Sequence, residues 1–224
     1  MNNCTNCQKP LEGSRLICAV CGTVQGSATM DYFQALGQER RFAIDTAALE
    51  REFHRLSRRL HPDRFARASA DEQQNSLAAT ALLNDAWRTL RDPVARLEYL
   101  LKLEGYAVGE EHAGKGKSAE RQPPSDLLEE VFELNMQLEE LRMSQKMGEA
   151  ADEAVVRDLA ATGARFESML QAVDDALAAE GAKWDTGAAE ARTGAATQMI
   201  QLLDRRRYLR NLVRDVRETL GAAA

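Results

Sequence analysis

A proline at position 62 ends the helix before it, and that one residue organises the first half of the chain. Leu49, Phe53, Leu56 and Leu60 recur at 3–4 residue spacing, an apolar stripe along a helix that Asp45 or Thr46 can cap. Pro62 lacks an N–H and its ring clashes with the preceding turn, so the helix is expected to stop at about Leu60. After a loop, Ser69 or Asp71 can start a second helix to about Leu90, with the stripe Ala78, Leu82, Ala86 and Leu90. Two helices with facing stripes and a loop between them should pack antiparallel. Pro93 then opens a further helix through Leu103, stopped by Gly105.

Downstream, Gly109, Gly114, Gly116, Pro123 and Pro124 mark residues 109–125 as a polar linker. Ser125 or Asp126 can cap a helix through about Met147. Ala151 to Glu180 reads as a second helix ended by Gly181, and Thr197 to Leu220 as a third with room for an earlier start, followed by a fraying poly-Ala end. Short turns between three helices predict a three-helix bundle. On its first helix Leu127, Val131, Leu134, Leu138 and Leu141 form the expected core stripe, with Leu128 and Phe132 on a neighbouring, exposed strip. Charged residues make up 29% and aromatics 5%, a mixture that favours helices. The predicted class is all-α: a helical hairpin at 30–108, a linker at 109–125 and a bundle at 126–224, preceded by a cysteine module at 1–29.

The net charge of −6 argues against a nucleic-acid binder. No stretch approaches the roughly 20 apolar residues of a membrane span, so no membrane partner is expected. The first residues lack the layout of a signal peptide, and the expected compartment is the reducing cytoplasm.

All four cysteines fall within the first 21 residues, as Cys4-x-x-Cys7 and Cys18-x-x-Cys21 separated by ten residues. Each CxxC places two thiolates on one tight turn, and four soft ligands suit a tetrahedral ion. Gly22 follows the second pair as a knuckle requires, and Pro10, Gly13 and Ser14 supply turns between the halves. The segment is too short for its own core, so metal binding would have to fold it. Structural zinc is the first expectation and a rubredoxin-like iron site the second. Free or disulfide-paired cysteines are the plainer alternative. A thioredoxin-type redox pair lacks its βαβ surroundings. A zinc hydrolase fails because four thiolates leave no open coordination position.

Around the proline, His61-Pro62-Asp63 ends a helix decorated with Arg51, Arg55, Arg58 and Arg59, and Arg64 and Arg67 follow. This is a cationic surface for an acidic partner, only partly offset by Glu50 and Glu52. Pro62 restricts His61 to extended conformations, which holds both flanking side chains in defined directions. On its own the tripeptide would be a helix breaker with a solvated His and a capping Asp. A general-base role for His61 lacks a nearby nucleophile.

Taken together, Asp31-Tyr32-Phe33, Leu60-His61-Pro62-Asp63-Arg64-Phe65, Asn84-x-Ala86-Trp87-x-x-Leu90 and Pro93-x-x-Arg96-x-x-Tyr99-Leu100-Leu101 resemble the J-domain family. More narrowly, they resemble the HscB/Jac-type co-chaperones of iron–sulfur cluster assembly. The likeness continues through Leu103-x-Gly105 and Phe132-Glu133-Leu134-Asn135. The cysteine module is similar to that of metazoan-type members.

The resemblance implies a non-enzymatic co-chaperone. Residues 30–108 would be the J-domain, and its loop and basic helix would stimulate the ATPase of a DnaK/HscA-class chaperone. His61, Pro62 and Asp63 take the loop role, with Arg51, Arg55, Arg58, Arg59 and Arg64 as charged contacts. The bundle would bind and deliver an IscU-type scaffold through Leu128, Phe132, Glu133, Arg207, Tyr208 and Leu212. The family pattern also includes Leu134, which the periodicity assigns to the core instead. Glu129 stands where the family has an apolar residue, and Tyr208 where Phe is common. Two other readings stay open: a J-domain protein with an unrelated client, and a zinc-ribbon nucleic-acid binder, although Lys9 and Arg15 are the only basic residues of the cysteine module.

Overall fold

Four N-cap residues set where the helices of the first half begin. Asp31 caps α1 (Tyr32–Ala35) and also pairs with Arg40 at 2.6 Å. Asp45 accepts from the Ala48 N–H at 3.0 Å and starts α2 (Thr46–Leu60). Ser69 and Glu72 form a reciprocal capping box that starts α3 (Ala70–Arg91). Asp92 caps α4 (Pro93–Leu103), with Pro93 in the first turn. The computed structural model describes residues 3–26, 29–108, 125–148 and 152–223. It divides into two units, Met1–Tyr106 and Ala107–Ala224.

In the first unit α2 and α3 pack together as a hairpin. Leu49, Leu56 and Leu60 are buried on α2, and Phe53 at the edge stacks on Trp87 with ring centroids 5.0 Å apart. On α3 the buried line is Ser76, Ala79, Leu83, Ala86 and Leu90. It differs from the expected stripe: Ala86 and Leu90 hold, but Ala78 is exposed and Leu82 only half-buried. Ala78 and Ala79 are indistinguishable by size, and so are Leu82 and Leu83. The 3–4 spacing back from Leu90 through Ala86 to Leu83 and Ala79 decides the phase. Tyr99 of α4 stacks on Tyr32 at 4.3 Å, and its hydroxyl oxygen accepts from the Tyr32 N–H at 3.0 Å, which fixes α1.

The second unit is an antiparallel pair of long helices, α6 (Glu153–Thr186) and α7 (Ala189–Ala223), joined by α5 (Leu128–Met147). A 3-10 turn over Ser125–Leu127 precedes α5. The core stripe Leu127, Val131, Leu134, Leu138 and Leu141 is buried as its spacing predicts. Helix α6 does not end at Gly181. That glycine lies on a buried line with Val173, Leu177 and Trp184, and packing outweighs the roughly 1 kcal/mol propensity cost of a helical glycine. The third helix starts eight residues earlier than Thr197 for the same reason, because Ala195 and Ala196 are buried. Across the unit, Arg205 clasps Asp126 through two bonds of 3.0 and 2.8 Å, and Arg165 pairs with Glu130 at 2.9 Å. Except for Ser125, the linker at 109–125 lies outside the described residues. Among the described residues no helix is long and apolar enough to cross a membrane.

The cysteine segment packs onto α1 within the first unit. The Ser14 hydroxyl donates to the Ala35 carbonyl at 2.6 Å, and the Arg15 N–H to the Gln34 carbonyl at 3.1 Å. Leu16 is fully buried beside them. Gly37 makes this approach possible: at φ +65°, a Cβ there would sit 2.6 Å from the Ser14 backbone nitrogen. Gly13 has the same φ but open space around it. Gly37→Ala is therefore expected to cost more than the 1–2 kcal/mol of left-handed strain that limits Gly13→Ala. Thermal unfolding of the two variants checks this, and equal losses would contradict the packing argument.

Candidate docking surfaces and metal centre

Each CxxC is closed by the same pair of backbone bonds. The Cys4 and Cys18 N–H groups donate to the Lys9 and Thr23 carbonyls at 2.8 and 3.0 Å. The Gln8 and Gly22 N–H groups donate back to the Cys4 and Cys18 carbonyls at 3.0 Å each. Each knuckle thus needs positive φ just after its second cysteine, at Gln8 (62°) and Gly22 (76°). The two turns bring all four Sγ atoms within 4.8 Å of one another, with Cys4–Cys21 at 3.5 Å and Cys7–Cys18 at 3.7 Å. These separations far exceed the roughly 2.05 Å of a disulfide, and all four cysteines are free thiols able to hold a metal ion. Gln25, buried, ties the knuckles together. Its Oε1 accepts from the Thr5 N–H at 2.9 Å, and its Nε2 donates to the Thr23 carbonyl at 2.8 Å and faces the Cys4 sulfur at 3.5 Å.

The thiols differ in acidity. The Thr23 hydroxyl, at 3.2 Å, and the Thr23 amide lower Cys21 to about 6. The Cys7 backbone N–H lowers Cys4. Cys7 is pulled down by the Lys9 backbone, but desolvation and the three neighbouring thiols push it up to about 11. Four thiols crowded together cannot all ionise without a cation among them.

At the end of α2, His61 adopts φ −56° and ψ 128°, and Pro62–Phe65 forms a 3-10 turn. The His61 Nδ1 accepts from the Asp63 N–H at 3.3 Å and lies 3.5 Å from the Asp63 carboxylate. The side chains of His61 and Asp63 are 57% and 90% exposed. Arg51, Arg55 and Arg58 follow at i, i+4 and i+7, on the face opposite Leu49, Leu56 and Leu60, with Arg59 on the flank and Arg64 exposed on the loop. Arg55 is held by Glu52 through bonds of 2.7 and 2.6 Å. Among the described residues Arg51, Arg58 and Arg64 make no ion pair.

In the bundle, Leu128 and Phe132 are 55% and 67% exposed, and Glu133 beside them is exposed. Glu129, also exposed, borders the same strip. Arg205 on Asp126 brings Arg207 and Tyr208 to the same end of the bundle. Both are half-buried, with Arg207 paired to Asp204 at 3.2 Å. Leu212 is only 8% exposed and belongs to the bundle packing, one turn inside the rim.

No family model matches the sequence. The structure, however, is similar to two solved proteins over nearly its whole length. One is the human co-chaperone protein HscB, with TM-score 0.65 and 24% identity, covering 97% of this chain and 98% of that one. The other is chaperone HscB from Vibrio cholerae, with TM-score 0.58 and 23% identity over 87% of this chain and all of that one. The chain has the HscB fold.

Within this HscB fold several side chains at the sites carry no motif. Ser76 and Thr80 both donate to the Leu60 carbonyl, at 2.7 and 3.1 Å, and Gln73 donates to the Ala68 carbonyl at 3.0 Å. Gln25 is of the same kind in the cysteine module. In α3 the trace in the sequence is one polar residue, Ser76, on an otherwise apolar line, and Gln25 leaves none. Acidity and exposure make a testable order: in metal-stripped protein at neutral pH, the exposed Cys21 should alkylate fastest, well ahead of Cys7, read by mass spectrometry. Equal rates at all four would mean that the knuckle geometry does not persist without metal.

Proposed function

We propose that this chain is a J-domain co-chaperone of iron–sulfur cluster assembly, not itself an enzyme. The observation that carries the reading is an exposed His61-Pro62-Asp63 loop at the end of an arginine-faced helix, within an HscB fold whose bundle leaves Leu128 and Phe132 uncovered. The loop and arginine face dock on a DnaK/HscA-class ATPase and raise its hydrolysis rate; the bond-breaking chemistry is the partner's. An IscU-type scaffold binds the bundle, and the protein acts in the cytoplasm. Residues 107–224 carry 15 Lys and Arg against 22 Asp and Glu, while residues 1–106 carry 14 against 13. The negative charge thus resides in the half that takes the scaffold, and the cationic face of α2 is free to steer toward an acidic chaperone surface.

Structural zinc is the ion this reading assigns to Cys4, Cys7, Cys18 and Cys21. Tetrahedral zinc–thiolate bonds of about 2.3 Å require sulfurs about 3.8 Å apart, which the 3.5 and 3.7 Å approaches fit. Four thiolates close the coordination shell, so the ion supplies folding energy rather than catalysis.

Steady-state ATPase assays with a DnaK-class chaperone test the loop. His61→Gln should abolish stimulation. Arg51→Ala with Arg58→Ala should raise the half-saturating concentration roughly tenfold at low salt, and the gap to wild type should narrow as salt rises. Arg55→Ala should matter less, since Glu52 already neutralises it. No stimulation by wild type, or full stimulation by His61→Gln, would overturn the reading.

Phe132→Ala should weaken scaffold binding by about 1–2 kcal/mol with little change in stability, because the ring is exposed. Leu138→Ala, in the core, should instead cost about 2–5 kcal/mol of stability. Calorimetric titration and denaturant unfolding separate the two. Scaffold binding untouched by Leu128→Ala and Phe132→Ala would point to an unrelated client.

A further inference from the structure

The turn that leaves α2 would be poorly anchored by its own backbone. The last carbonyls of a helix have no partner within it, and Pro62 removes an N–H that might have served. The Leu60 carbonyl is instead held by two hydroxyls of α3, those of Ser76 and Thr80. Ser76 is fully buried, on a helical line whose other members, Ala79, Leu83, Ala86 and Leu90, are all apolar. On the far side of the loop, Gln73 donates to the Ala68 carbonyl at 3.0 Å and approaches the Ala66 carbonyl at 3.5 Å. Gln73, Ser76 and Thr80 stand at i, i+3 and i+7, one face of α3. They grip the chain at Leu60, before His61, and at Ala66 and Ala68, after Arg64.

We propose that Ser76, Thr80 and Gln73 form a latch that sets the direction of the His61-Pro62-Asp63 loop and thereby its power to activate the chaperone. They are positioning residues, and none needs to touch the partner. The proposal rests on the ATPase reading above for its functional consequence, but its structural content can be read in the protein alone. A hydroxyl bonded to a buried carbonyl is a sharper constraint than apolar packing, because leaving that carbonyl unmet is costly. The loop's own bonds, Arg64 N–H to His61 O at 3.0 Å, Asp63 N–H to His61 Nδ1 at 3.3 Å, Ala66 N–H to Asp63 O at 3.4 Å and Ala68 N–H to Phe65 O at 2.9 Å, all stay within the turn, and none of them ties it to α3. The latch therefore fixes the turn as a unit on α3, and with it where His61 and Asp63 sit relative to the arginine face.

The latch separates two kinetic quantities. Docking depends on the arginines of α2, whereas activation depends on the loop. Ser76→Ala and Thr80→Val should each lower maximal stimulation about fivefold, with the half-saturating concentration unchanged. Thr80→Ser, which keeps the hydroxyl, should restore it. A merely destabilised protein would behave in the opposite way, needing more protein to reach the same maximum. In the full chain without any partner, amide hydrogen exchange should speed up at Asp63, Arg64 and Ala66 in Ser76→Ala and Thr80→Val but not in Thr80→Ser. Unchanged exchange at those amides in folded variants overturns the latch, whatever the ATPase assay gives. Wild type that fails to stimulate, with exchange changed as expected, counts against the co-chaperone reading and not against the latch.

Discussion

The packing of α2 on α3 is the constraint from which the rest of the first unit follows. Leu49, Leu56 and Leu60 bury one line of α2 against the line Ala79, Leu83, Ala86 and Leu90, and this fixes the rotation of α2 about its axis. Once that rotation is set, Arg51, Arg55 and Arg58 have to face outward, because they lie on the opposite side of a 3.6-residue repeat. The same packing brings the end of α2 over Ser76 and Thr80, and Pro62 turns the chain away at that point. A cationic face and an exposed His-Pro-Asp turn are thus consequences of one hydrophobic seam. They could not be displaced independently, which is useful in a surface that must present charge and loop in a fixed relation.

The second unit solves a different problem. A helix of a three-helix bundle needs one apolar stripe for its neighbours, and α5 has that stripe in Leu127, Val131, Leu134, Leu138 and Leu141. Leu128 and Phe132 are additional. The fold does not require the Phe132 ring, which is mostly in water, and the proposed scaffold contact would use it. The acidic residues Glu129 and Glu133 border it and give that contact a sign.

Much of this was legible before any coordinates. The caps Asp45 and Ser69, the break at Pro62 and the core stripe of α5 all follow from strong local chemistry: a side-chain acceptor, a missing N–H, and leucines at regular spacing. The two CxxC pairs announced a thiolate cluster because their spacing has few other uses. What was hidden depends on weak contrasts or on distant partners. Ala78 and Ala79 differ only in which one meets α2. Gly181 looks like a stop until its buried line with Leu177 and Trp184 is known. Leu212 is indistinguishable by type from an exposed leucine, and its burial is decided by the packing of the bundle. Docking of the cysteine segment rests on Ser14 meeting Ala35 and on Gly37 lacking a side chain, contacts between residues more than twenty apart that no local pattern encodes. Ser76 and Thr80 were equally silent, since a hydroxyl in a helix is ordinarily a neutral residue.

The central claim is that one chain joins a loop that activates a chaperone to a bundle that holds that chaperone's cargo. The most direct measurement is ATP hydrolysis by a DnaK-class partner with the protein and an iron–sulfur scaffold, added separately and together. The account predicts that the two together accelerate hydrolysis beyond the product of their separate effects, and that Phe132→Ala removes only this excess. Acceleration by the protein that the scaffold leaves unchanged would contradict it.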